Sequence, residues 1–278
     1  MSPRSESPRK LPVAIPGARG AYGQKAAMSF FGNSRGALYC ETSTAAAQAL
    51  VQGRASLAVL PVENSITGIF DGAAEAFFQG DNLTVVGEVI LPIRHAVMAT
   101  RGVRLEDLAV IESHPSSLSQ CRDWIAGWGF AQRPVSDTAR AAEQLAESSD
   151  EALGVLGARE LAALHGLEVL AEGLSDHFDN RTRFLVLGLD ATKEEGWRNA
   201  IQVGPVSTPR ILKTLRIQLE SLGASRVRVP FLGSQDGKRF LVEFDHRDCE
   251  GLGAAKAACV GVPHRFLGAW VPNGRQAG

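Results

Sequence analysis

Four short stretches place glycines, hydroxyls, amides or guanidinium groups at one end of an apolar run. The first, Gly17 to Gly23 (GARGAYG), leads into a helical pattern. Glycines allow a sharp turn, and the exposed amides of a helix start favour a carboxylate or a phosphate. Glu41 stands at about the distance at which a dinucleotide site needs a ribose contact, but that fingerprint requires a glycine where Arg19 stands. The spacing therefore favours an anion-binding turn over a dinucleotide site.

The second stretch follows the apolar run LAVLPV and contains Glu63, Asn64 and Ser65. Polar side chains at the carboxyl end of a strand in an open parallel sheet face the crevice where ligands bind. Asn and Ser are also favoured N-cap residues, so Asn64 and Ser65 could merely cap the next helix. On local grounds both interpretations remain open.

The third stretch, Glu112 to Pro115, is again a strand end followed by a helix. Ser113 is a natural N-cap, and proline fits the first helical turn. His114 could serve as an acid or base near neutral pH, although a helix N-terminus favours its neutral ring. The capping interpretation is the stronger one. The pair Asp137 and Thr138 precedes another helix and has the same ambiguity.

The fourth stretch, Asp179 to Phe184 (DNRTRF), stands just before the apolar run LVLGL. Arginine can bind a carboxylate through two parallel hydrogen bonds, and a threonine hydroxyl can donate to a departing oxygen. Taken alone, three residues such as TRF are a weak signal. Their order after the other three stretches gives them weight.

The elements that must position these stretches alternate between apolar runs and helical patterns. This alternation predicts βαβ units with a parallel sheet in a first domain, residues 11–189, with crossings between two lobes near Ile90 to Ile93 and Val169 to Glu172. The charged segment DATKEEGWRN reads as a linker. Residues 198–272 then follow the order βαββαβ, which predicts a ferredoxin-like unit. Residues 1–10 are expected to be a disordered tail.

Composition excludes several function classes. Among 278 residues, 29 Lys and Arg nearly balance 30 Asp and Glu, which argues against a nucleic-acid partner. The cysteines show no metal-site spacing, and no His, Cys and carboxylate set does, so no metal or other cofactor is expected. No apolar targeting or membrane-spanning segment is evident, so we expect a cytoplasmic protein.

Together, GxxGAY, LPVENS, ESHPSSLSQC, DTARAAE and NRTRF resemble the prephenate dehydratase family, in the family's order, from Val13 to about Leu187. The resemblance implies two α/β lobes like those of periplasmic binding proteins, an active site in the cleft, and a C-terminal ACT regulatory domain. The implied reaction converts prephenate to phenylpyruvate, water and CO2. Arogenate as substrate and a non-catalytic sensor of small carboxylates are the alternatives.

The resemblance also implies roles for individual residues. Thr182 matches the threonine at the catalytic centre, and Asn64 and Ser65 match the pair that contacts substrate. The expected substrate-binding set is Gly20, Ala21, Tyr22, Glu63, Ser113, Thr138, Arg183 and Phe184. Family members usually carry hydroxyl residues on both sides of the aromatic residue of the first motif, whereas this chain has Ala21 and Gly23. Plant arogenate dehydratases also carry GAY there.

Regulation and assembly are further implications of the resemblance. ACT domains of such enzymes commonly bind phenylalanine through a GAL-containing loop and an ESRP segment. Here the corresponding segments read GPVSTP, from Gly204, and RVRVPF, from Arg226. Because neither motif is present, we expect at most a weak phenylalanine effect. The family also favours a homodimer or homotetramer.

Overall fold

A computed structural model describes residues 11–32, 35–70, 72–77, 79–148, 150–189, 196–204, 210–229, 240–246, 251–260 and 262–272. The strands lie in three sheets: β1 Val13–Pro16, β2 Ala37–Cys40, β3 Leu57–Asn64, β4 Gly68–Ile69, β5 Leu83–Pro92, β6 His95–Ala99, β7 Val110–Ser113, β8 Ala131–Pro134, β9 Leu153–Ala158, β10 Glu168–Glu172, β11 Arg181–Leu189, β12 Arg198–Val203, β13 Ser225–Arg228, β14 Phe240–Asp245 and β15 His264–Trp270. The helices pack on these sheets: α1 Tyr22–Phe31, α2 Ser43–Val51, α3 Ala73–Phe77, α4 Pro115–Gln120, α5 Arg122–Trp128, α6 Thr138–Glu147, α7 Glu160–His165, α8 Arg210–Ser221 and α9 Gly251–Ala258.

The first sheet has the strand order β2-β1-β3-β11-β5, with β4 paired to β3. Its β1, β2 and β3 are parallel, whereas β11 runs antiparallel to both β3 and β5. Both faces of β11 are covered, since Phe184 and Val186 lie in the apolar cluster under α1 and Leu185 and Leu187 lie in the cluster under α2. Burial on both faces explains why this strand reads as a continuous apolar run.

The second sheet has the order β10-β6-β9-β7-β8, in which β7 is parallel to β8 and β9 while β6 is antiparallel to β9 and β10. The two-lobed α/β arrangement is therefore confirmed, but each lobe has a mixed sheet rather than the parallel sheet predicted. The chain passes between the sheets after β5 and returns between β10 and β11. Val169 to Glu172, where the return was expected, instead belong to β10, because they pair with β6.

One helix differs from its predicted form. The pattern PSSLSQCRDWIAGW indicated a single helix, but α4 ends at Gln120 and α5 begins at Arg122. Cys121 separates them with φ −125° and ψ 26°, outside the helical region. This break lets the end of α4 turn Gln120 into the protein interior, where only 4% of the residue is exposed.

The C-terminal sheet is antiparallel, with the order β13-β14-β12-β15. Helices α8 and α9 pack on one face of it, where they share an apolar cluster with β12 and β14. The predicted βαββαβ order is confirmed. The opposite face lies against the first sheet, because Leu83 and Leu187 share a core with Leu241 and Leu267. The two units are thus joined by a continuous apolar interface.

Several sequence predictions fall on residues outside the described part of the chain. They concern the tail at 1–10, residues 190–195 of the linker, and residues 205–209 and 230–231 of the expected effector segments. Cys249 also lies outside the described part. Burial raises the pKa of Cys121 to about 12 and that of Cys259 to about 11, so both remain protonated thiols at neutral pH. None of the helices in the described part of the chain has the length and apolar character needed to cross a membrane.

Candidate active site

The pairing of β3 with β11 places Asn64 directly opposite Thr182. The Asn64 side chain donates from Nδ2 to Thr182 Oγ1 over 3.1 Å. Both residues are buried, with exposures of 2% and 5%. Two residues that stand 118 positions apart are therefore joined by one hydrogen bond in the protein interior.

The turn after β3 fixes the orientation of the Asn64 amide. Its Oδ1 accepts hydrogen bonds from the backbone amides of Ile66, at 2.9 Å, and Thr67, at 3.1 Å. Backbone amides can only donate, so Oδ1 must face the turn and Nδ2 must face Thr182 and Asn180. Asn64 thus does cap a turn, and the cap is what aims its other end at Thr182.

The Thr182 hydroxyl is left with a proton to donate. Its oxygen accepts from Asn64, and no described residue accepts the hydroxyl proton in return. A hydroxyl that accepts a hydrogen bond becomes a stronger donor, because the two bonds polarise one another. The arrangement is suited to stabilising negative charge on an oxygen placed next to Thr182.

Ser65 holds the segment before β11 in place. Its hydroxyl donates to the Asp179 carbonyl over 2.9 Å and accepts from the Arg181 amide over 3.0 Å. The Ser65 amide also donates to the Arg181 carbonyl over 2.9 Å. Because the hydroxyl is already used in both directions, Ser65 positions Thr182 in this structure.

A chain of buried amides continues from Asn64 into the second lobe. Asn180 Oδ1 accepts from Asn64 over 2.7 Å, and its Nδ2 donates to Gln120 Oε1 over 2.6 Å. Gln120 Oε1 also lies 2.8 Å from His95 Nε2. Since Oε1 can only accept, His95 must carry its proton on Nε2. The backbone amides that orient Asn64 therefore determine every donor and acceptor along this chain.

Tyr22 connects the start of α1 to the same region. Its hydroxyl donates to the Arg94 carbonyl over 2.9 Å and lies 3.3 Å from His95 Nδ1, with the two rings edge to face. Burial raises the pKa of Tyr22, so the hydroxyl stays protonated. Tyr22 therefore links the first lobe to the beginning of β6 in the second.

Gly20 lies where the first lobe touches α7. Its φ is +88°, a left-handed conformation that favours glycine, and a Cβ there would lie 2.5 Å from Leu161 Cδ2. Its amide donates to Gln24 Oε1 over 2.7 Å. Nearby, Lys25 and Glu160 form an ion pair of 2.7 Å across the lobes. Gly20 thus allows the two lobes to approach closely. Its amide already donates to Gln24 and is not free to bind an anion.

A second polar cluster lies at the ends of β7 and the starts of α4 and α6. Ser113 donates to the Leu156 carbonyl over 2.6 Å, so its 3.1 Å contact with Thr138 must use the Thr138 proton. Thr138 Oγ1 also accepts from the His114 amide over 3.0 Å. Both hydroxyl protons are engaged within the protein, so in this state Ser113 and Thr138 can offer a ligand only lone pairs.

The N-cap of α4 is His114 and not Ser113, the residue expected from the sequence. His114 Nδ1 accepts from the Ser116 amide over 3.2 Å and lies 2.8 Å from Ser116 Oγ. Burial lowers its pKa, although the charge of Asp137 opposes the shift. The ring is therefore neutral near pH 7. Helix α4 has six residues and spans roughly 9 Å, so it connects this cluster to Gln120 at its other end.

Two residues of the expected substrate-binding set, Arg183 and Glu63, face away from Thr182, and a third, Phe184, is buried in the core. Arg183 binds Glu88 and Glu243, and Glu63 binds Arg228. Phe184 is only 2% exposed and lies in the apolar cluster under α1. The expectation that Arg183 and Glu63 face the substrate differs from the structure because neighbouring residues of a strand point to opposite faces.

A cavity of about 310 Å³ lies elsewhere, between α1 and the strands β1 and β2. Its lining includes Arg19, Arg35 and Tyr39 but none of the predicted site residues. In the part of the chain that the structure describes, no group of three or more His, Cys, Asp and Glu residues is arranged to hold a metal ion. The polar groups around Thr182 and Ser113 thus form the candidate site.

Comparison with known proteins identifies the family to which this fold and site belong. The model of a family described as prephenate dehydratase matches residues 13–192, which contain both polar clusters. The chain belongs to the prephenate dehydratase family. Arogenate dehydratase/prephenate dehydratase 2 of Arabidopsis thaliana is 36% identical over 178 residues, covering 64% of this chain and 46% of that relative. The chain thus spans about half the length of the curated relatives it matches.

Two solved structures resemble nearly the whole chain. Prephenate dehydratase from Arthrobacter aurescens, in complex with L-Phe, has a TM-score of 0.81 at 27% identity, covering 96% of this chain and 91% of that one. GqqA, described as a novel type of quorum quenching acylase, has a TM-score of 0.78 at 26% identity, with coverages of 94% and 98%. The family fold therefore extends over the C-terminal sheet.

Sequence reasoning about the prephenate dehydratase motifs left out three buried side chains of this site. His95, Gln120 and Asn180 complete the amide chain that begins at Asn64. Gln120 lies inside the quoted motif ESHPSSLSQC and Asn180 inside NRTRF, so their place in these motifs was the available signal. His95 begins an apolar strand and gave no comparable signal.

Substituting alanine for Gly20 tests whether the lobes must approach at this point. We expect Gly20→Ala to lower kcat/KM at least tenfold, because its Cβ meets Leu161 as the lobes close. Gly102→Ala is the matched control, since Gly102 also has φ +88° but nothing within 4 Å of its added Cβ. Steady-state kinetics of both variants measure the effect. Equal losses would show that backbone strain alone is responsible.

The buried His95 predicts a pH dependence of stability. Burial lowers its pKa from the usual 6.5, while the hydrogen bond to Gln120 opposes the shift. The unfolded chain then binds the proton more readily than the folded one, so this contribution is complete above pH 6.5 and is lost as the pH falls through the lowered folded pKa. We expect the Tm to decline below pH 6.5, and to decline less steeply in His95→Gln. Identical slopes from thermal unfolding would contradict this.

Proposed function

We propose that the protein is a prephenate dehydratase, which converts prephenate to phenylpyruvate, water and CO2. The observation that carries the proposal is the buried hydrogen bond from Asn64 to Thr182, which leaves the threonine proton available. Membership of the family supports the reaction class.

The reaction needs little from the enzyme beyond positioning and charge stabilisation. The bond between the ring and its carboxylate carbon breaks, and its electron pair enters the ring while CO2 leaves. At the opposite ring carbon the C–O bond breaks and the hydroxide departs, taking up a proton to become water. Formation of the aromatic ring supplies the driving force. The Thr182 hydroxyl donates a hydrogen bond to the departing oxygen, and this interaction strengthens as negative charge develops.

The start of α1 is the candidate holder of a substrate carboxylate. Ala21 occupies its N-cap without a side-chain hydrogen bond, and the amides of Tyr22 and Gly23 donate to no acceptor among the described residues. Free amides at a helix start attract anions. Ser113 and Thr138 lie in the opposite lobe, where they can accept hydrogen bonds from the substrate. Because Thr182 is buried, substrate entry requires the lobes to separate and the pair of Lys25 and Glu160 to break.

Arogenate is the alternative substrate, and it differs by an ammonium group where prephenate has a keto group. An ammonium group is favoured by a nearby carboxylate. Glu63, the carboxylate next to Asn64, is instead bound to Arg228 on the far face of the strand. This geometry favours prephenate. The names of the plant relatives include arogenate, so direct competition between the two substrates is needed to decide between them.

A steady-state assay tests the proposal. Purified protein is incubated with prephenate at neutral pH, without acid, and the absorbance of phenylpyruvate is followed. We expect turnover that depends on Thr182. Tight binding of prephenate without product would instead indicate a sensor of small carboxylates.

Amide hydrolysis is a second candidate, favoured by one local contact. Ser116 Oγ lies 2.8 Å from His114 Nδ1, a distance suited to a serine nucleophile and its base. The similarity to a quorum quenching acylase adds to it. Against it, His114 Nδ1 also accepts the Ser116 amide as a helix cap. Release of an amine from an N-acylated substrate, abolished by Ser116→Ala but retained by Thr182→Val, would establish this activity.

We further propose that residues 11–189 form the catalytic domain and residues 198–272 an ACT-like domain in a homodimer or homotetramer. The solved relative from Arthrobacter aurescens holds L-Phe. Because the present chain lacks both effector motifs, we expect phenylalanine to bind the two global states almost equally and to inhibit only weakly. Titration of phenylalanine into the steady-state assay measures this. Strong cooperative inhibition at micromolar concentrations would reveal an effector site built from other residues.

A further inference from the structure

The residues that adjoin Thr182 and Asn64 in the sequence are both bound to the C-terminal sheet. Arg183 follows Thr182 on β11, and Glu63 precedes Asn64 on β3. The two pairs lie opposite one another in the strand register, Thr182 with Asn64 and Arg183 with Glu63. Because adjacent residues of a strand point to opposite faces, each of these charged side chains leaves the face on which the catalytic pair meets.

Arg183 reaches β14 through a buried cluster of charges. Its Nη1 donates to Glu243 Oε2 over 2.8 Å, and its Nε and Nη2 donate to Glu88 Oε2 over 3.0 and 2.7 Å. Glu88 then accepts from Arg198 Nη1 over 2.9 Å, and Arg198 binds Asp245. Exposures of 0% for Glu88 and 2% for Glu243 leave water little access. The planar guanidinium therefore has a single favourable position.

Glu63 reaches β13 through a more exposed contact. Arg228 Nη2 lies 2.6 Å from both carboxylate oxygens of Glu63. The two side chains are 45% and 31% exposed. This pair can therefore be altered with less risk to the fold than the buried cluster around Arg183.

These contacts lie on the face of the first sheet opposite Thr182 and Asn64, directly beside both residues in the chain. Only one peptide unit separates Arg183 from Thr182, and only one separates Glu63 from Asn64. The hydrogen bond between Asn64 and Thr182 depends on the relative position of the two strand ends, and both strand ends are tied to strands of the same C-terminal sheet. A displacement of that sheet would move both partners of the hydrogen bond.

We propose that Glu243 and Arg228 of the C-terminal sheet are positioning residues, which act through Arg183 and Glu63 to hold Thr182 and Asn64 in register. The assignment of a catalytic effect rests on the dehydratase function proposed above. The positioning itself is a property of the structure and can be measured without turnover. The C-terminal sheet thereby helps to maintain the geometry of the site, in addition to any role that it has in binding an effector.

The experiment uses a charge exchange on the full-length protein. Arg228→Glu places two carboxylates side by side, and combining it with Glu63→Arg restores an opposite pair in reversed order. We expect the single variant to lower kcat about tenfold with KM changed less than twofold, and the double variant to recover kcat to within threefold. Arg216→Gln is the control, since it removes an exposed ion pair of α8 that does not touch the first sheet. It should leave both constants unchanged.

Hydrogen–deuterium exchange provides the readout that does not depend on activity. In Arg228→Glu and in Glu243→Gln, we expect faster exchange in peptides that contain the amides of Ile66, Thr67 and Arg181, and unchanged exchange in β9 of the second sheet. Recovery in the exchanged pair would confirm a specific contact. Uniformly faster exchange throughout the protein would indicate general destabilisation and overturn the proposal.

The remaining outcomes separate the two proposals. If the wild-type protein turns over neither prephenate nor arogenate, the proposed function fails, and the exchange measurements still decide whether the C-terminal sheet holds the site. If the wild type is active but Arg228→Glu changes neither kcat nor exchange near Ile66 and Arg181, the positioning role is refuted. Failure of the exchanged pair to recover kcat would show that Glu63 has another role, such as contact with substrate, and would also refute it.

Discussion

We expect Thr182→Val to lower kcat by at least tens-fold and to leave KM nearly unchanged. Valine keeps the shape of threonine, so the packing of β11 is retained, and Asn64 Nδ2 keeps its other acceptors at Asn180 Oδ1 and the Arg181 carbonyl. The lost hydroxyl acts chiefly on the departing oxygen, where charge appears only in the transition state. Positioned donors of this kind contribute on the order of 10²-fold or more. Steady-state kinetics measure the change.

Thr182→Ser is the matched control, because it retains the hydroxyl and removes only a methyl group. We expect it to keep a substantial part of the wild-type kcat. If Thr182→Val retained kcat near the wild-type value, the departing oxygen would be stabilised by another group, and the role assigned to Thr182 would be wrong.

We expect Arg183→Leu to lower the free energy of unfolding by roughly 3–5 kcal/mol, the usual effect of removing one partner of a buried ion pair. Glu88 keeps Arg198, but Glu243 loses its partner at Oε2, and its Oε1 already lacks a hydrogen-bond partner in the structure. A buried carboxylate is then left uncompensated. Urea unfolding measures the loss. Arg183→Lys should also be harmful, because an ammonium group cannot reproduce the planar contacts with two carboxylates.

Two variants check this explanation. The double variant Arg183→Leu with Glu243→Leu removes both charges, so we expect it to be more stable than Arg183→Leu alone. The exposed pair of Arg216 and Glu220 supplies a surface control, whose loss through Arg216→Gln should cost at most about 1 kcal/mol. A double variant less stable than the single one would mean that Glu243 contributes through packing and not through charge.

Short motifs singled out Asn64 and Thr182, which the structure brings into contact, because their chemistry and their backbone position coincide. Asn64 and Thr182 each stand at the end of an apolar strand, and the end of a strand can be recognised from neighbouring residues alone. That the two strands are adjacent is known only from the structure. The structure adds the direction of their hydrogen bond, which depends on the Asx turn at Ile66 and Thr67.

The partners of Arg183 and Glu63 could not be predicted in the same way. Strand alternation would have placed each on the face opposite its catalytic neighbour. What lies on that face, however, is decided by the packing of β13 and β14, which are more than 40 residues further along the chain from Arg183. An arginine suited to bind a substrate carboxylate is equally suited to bind Glu243, so residue type alone could not distinguish them.

The amide chain was missed for a related reason. His95 and Gln120 lie on different elements of the second lobe and Asn180 lies just before β11, so their contacts form only through tertiary packing. Gln120 also depends on the helix break at Cys121, which the continuous helical pattern did not indicate. The β10 strand was mistaken for a crossing because a short apolar segment does not reveal which sheet it joins.

A competition assay tests the central proposal most directly. The wild-type protein is given prephenate and arogenate together, at equal concentrations and neutral pH. The products phenylpyruvate and phenylalanine are separated by chromatography and their initial rates compared. We predict that phenylpyruvate forms at least several times faster, since Glu63 is bound to Arg228 and cannot face an ammonium group. Faster formation of phenylalanine would make the protein an arogenate dehydratase, and the absence of both products would contradict the proposed dehydratase function.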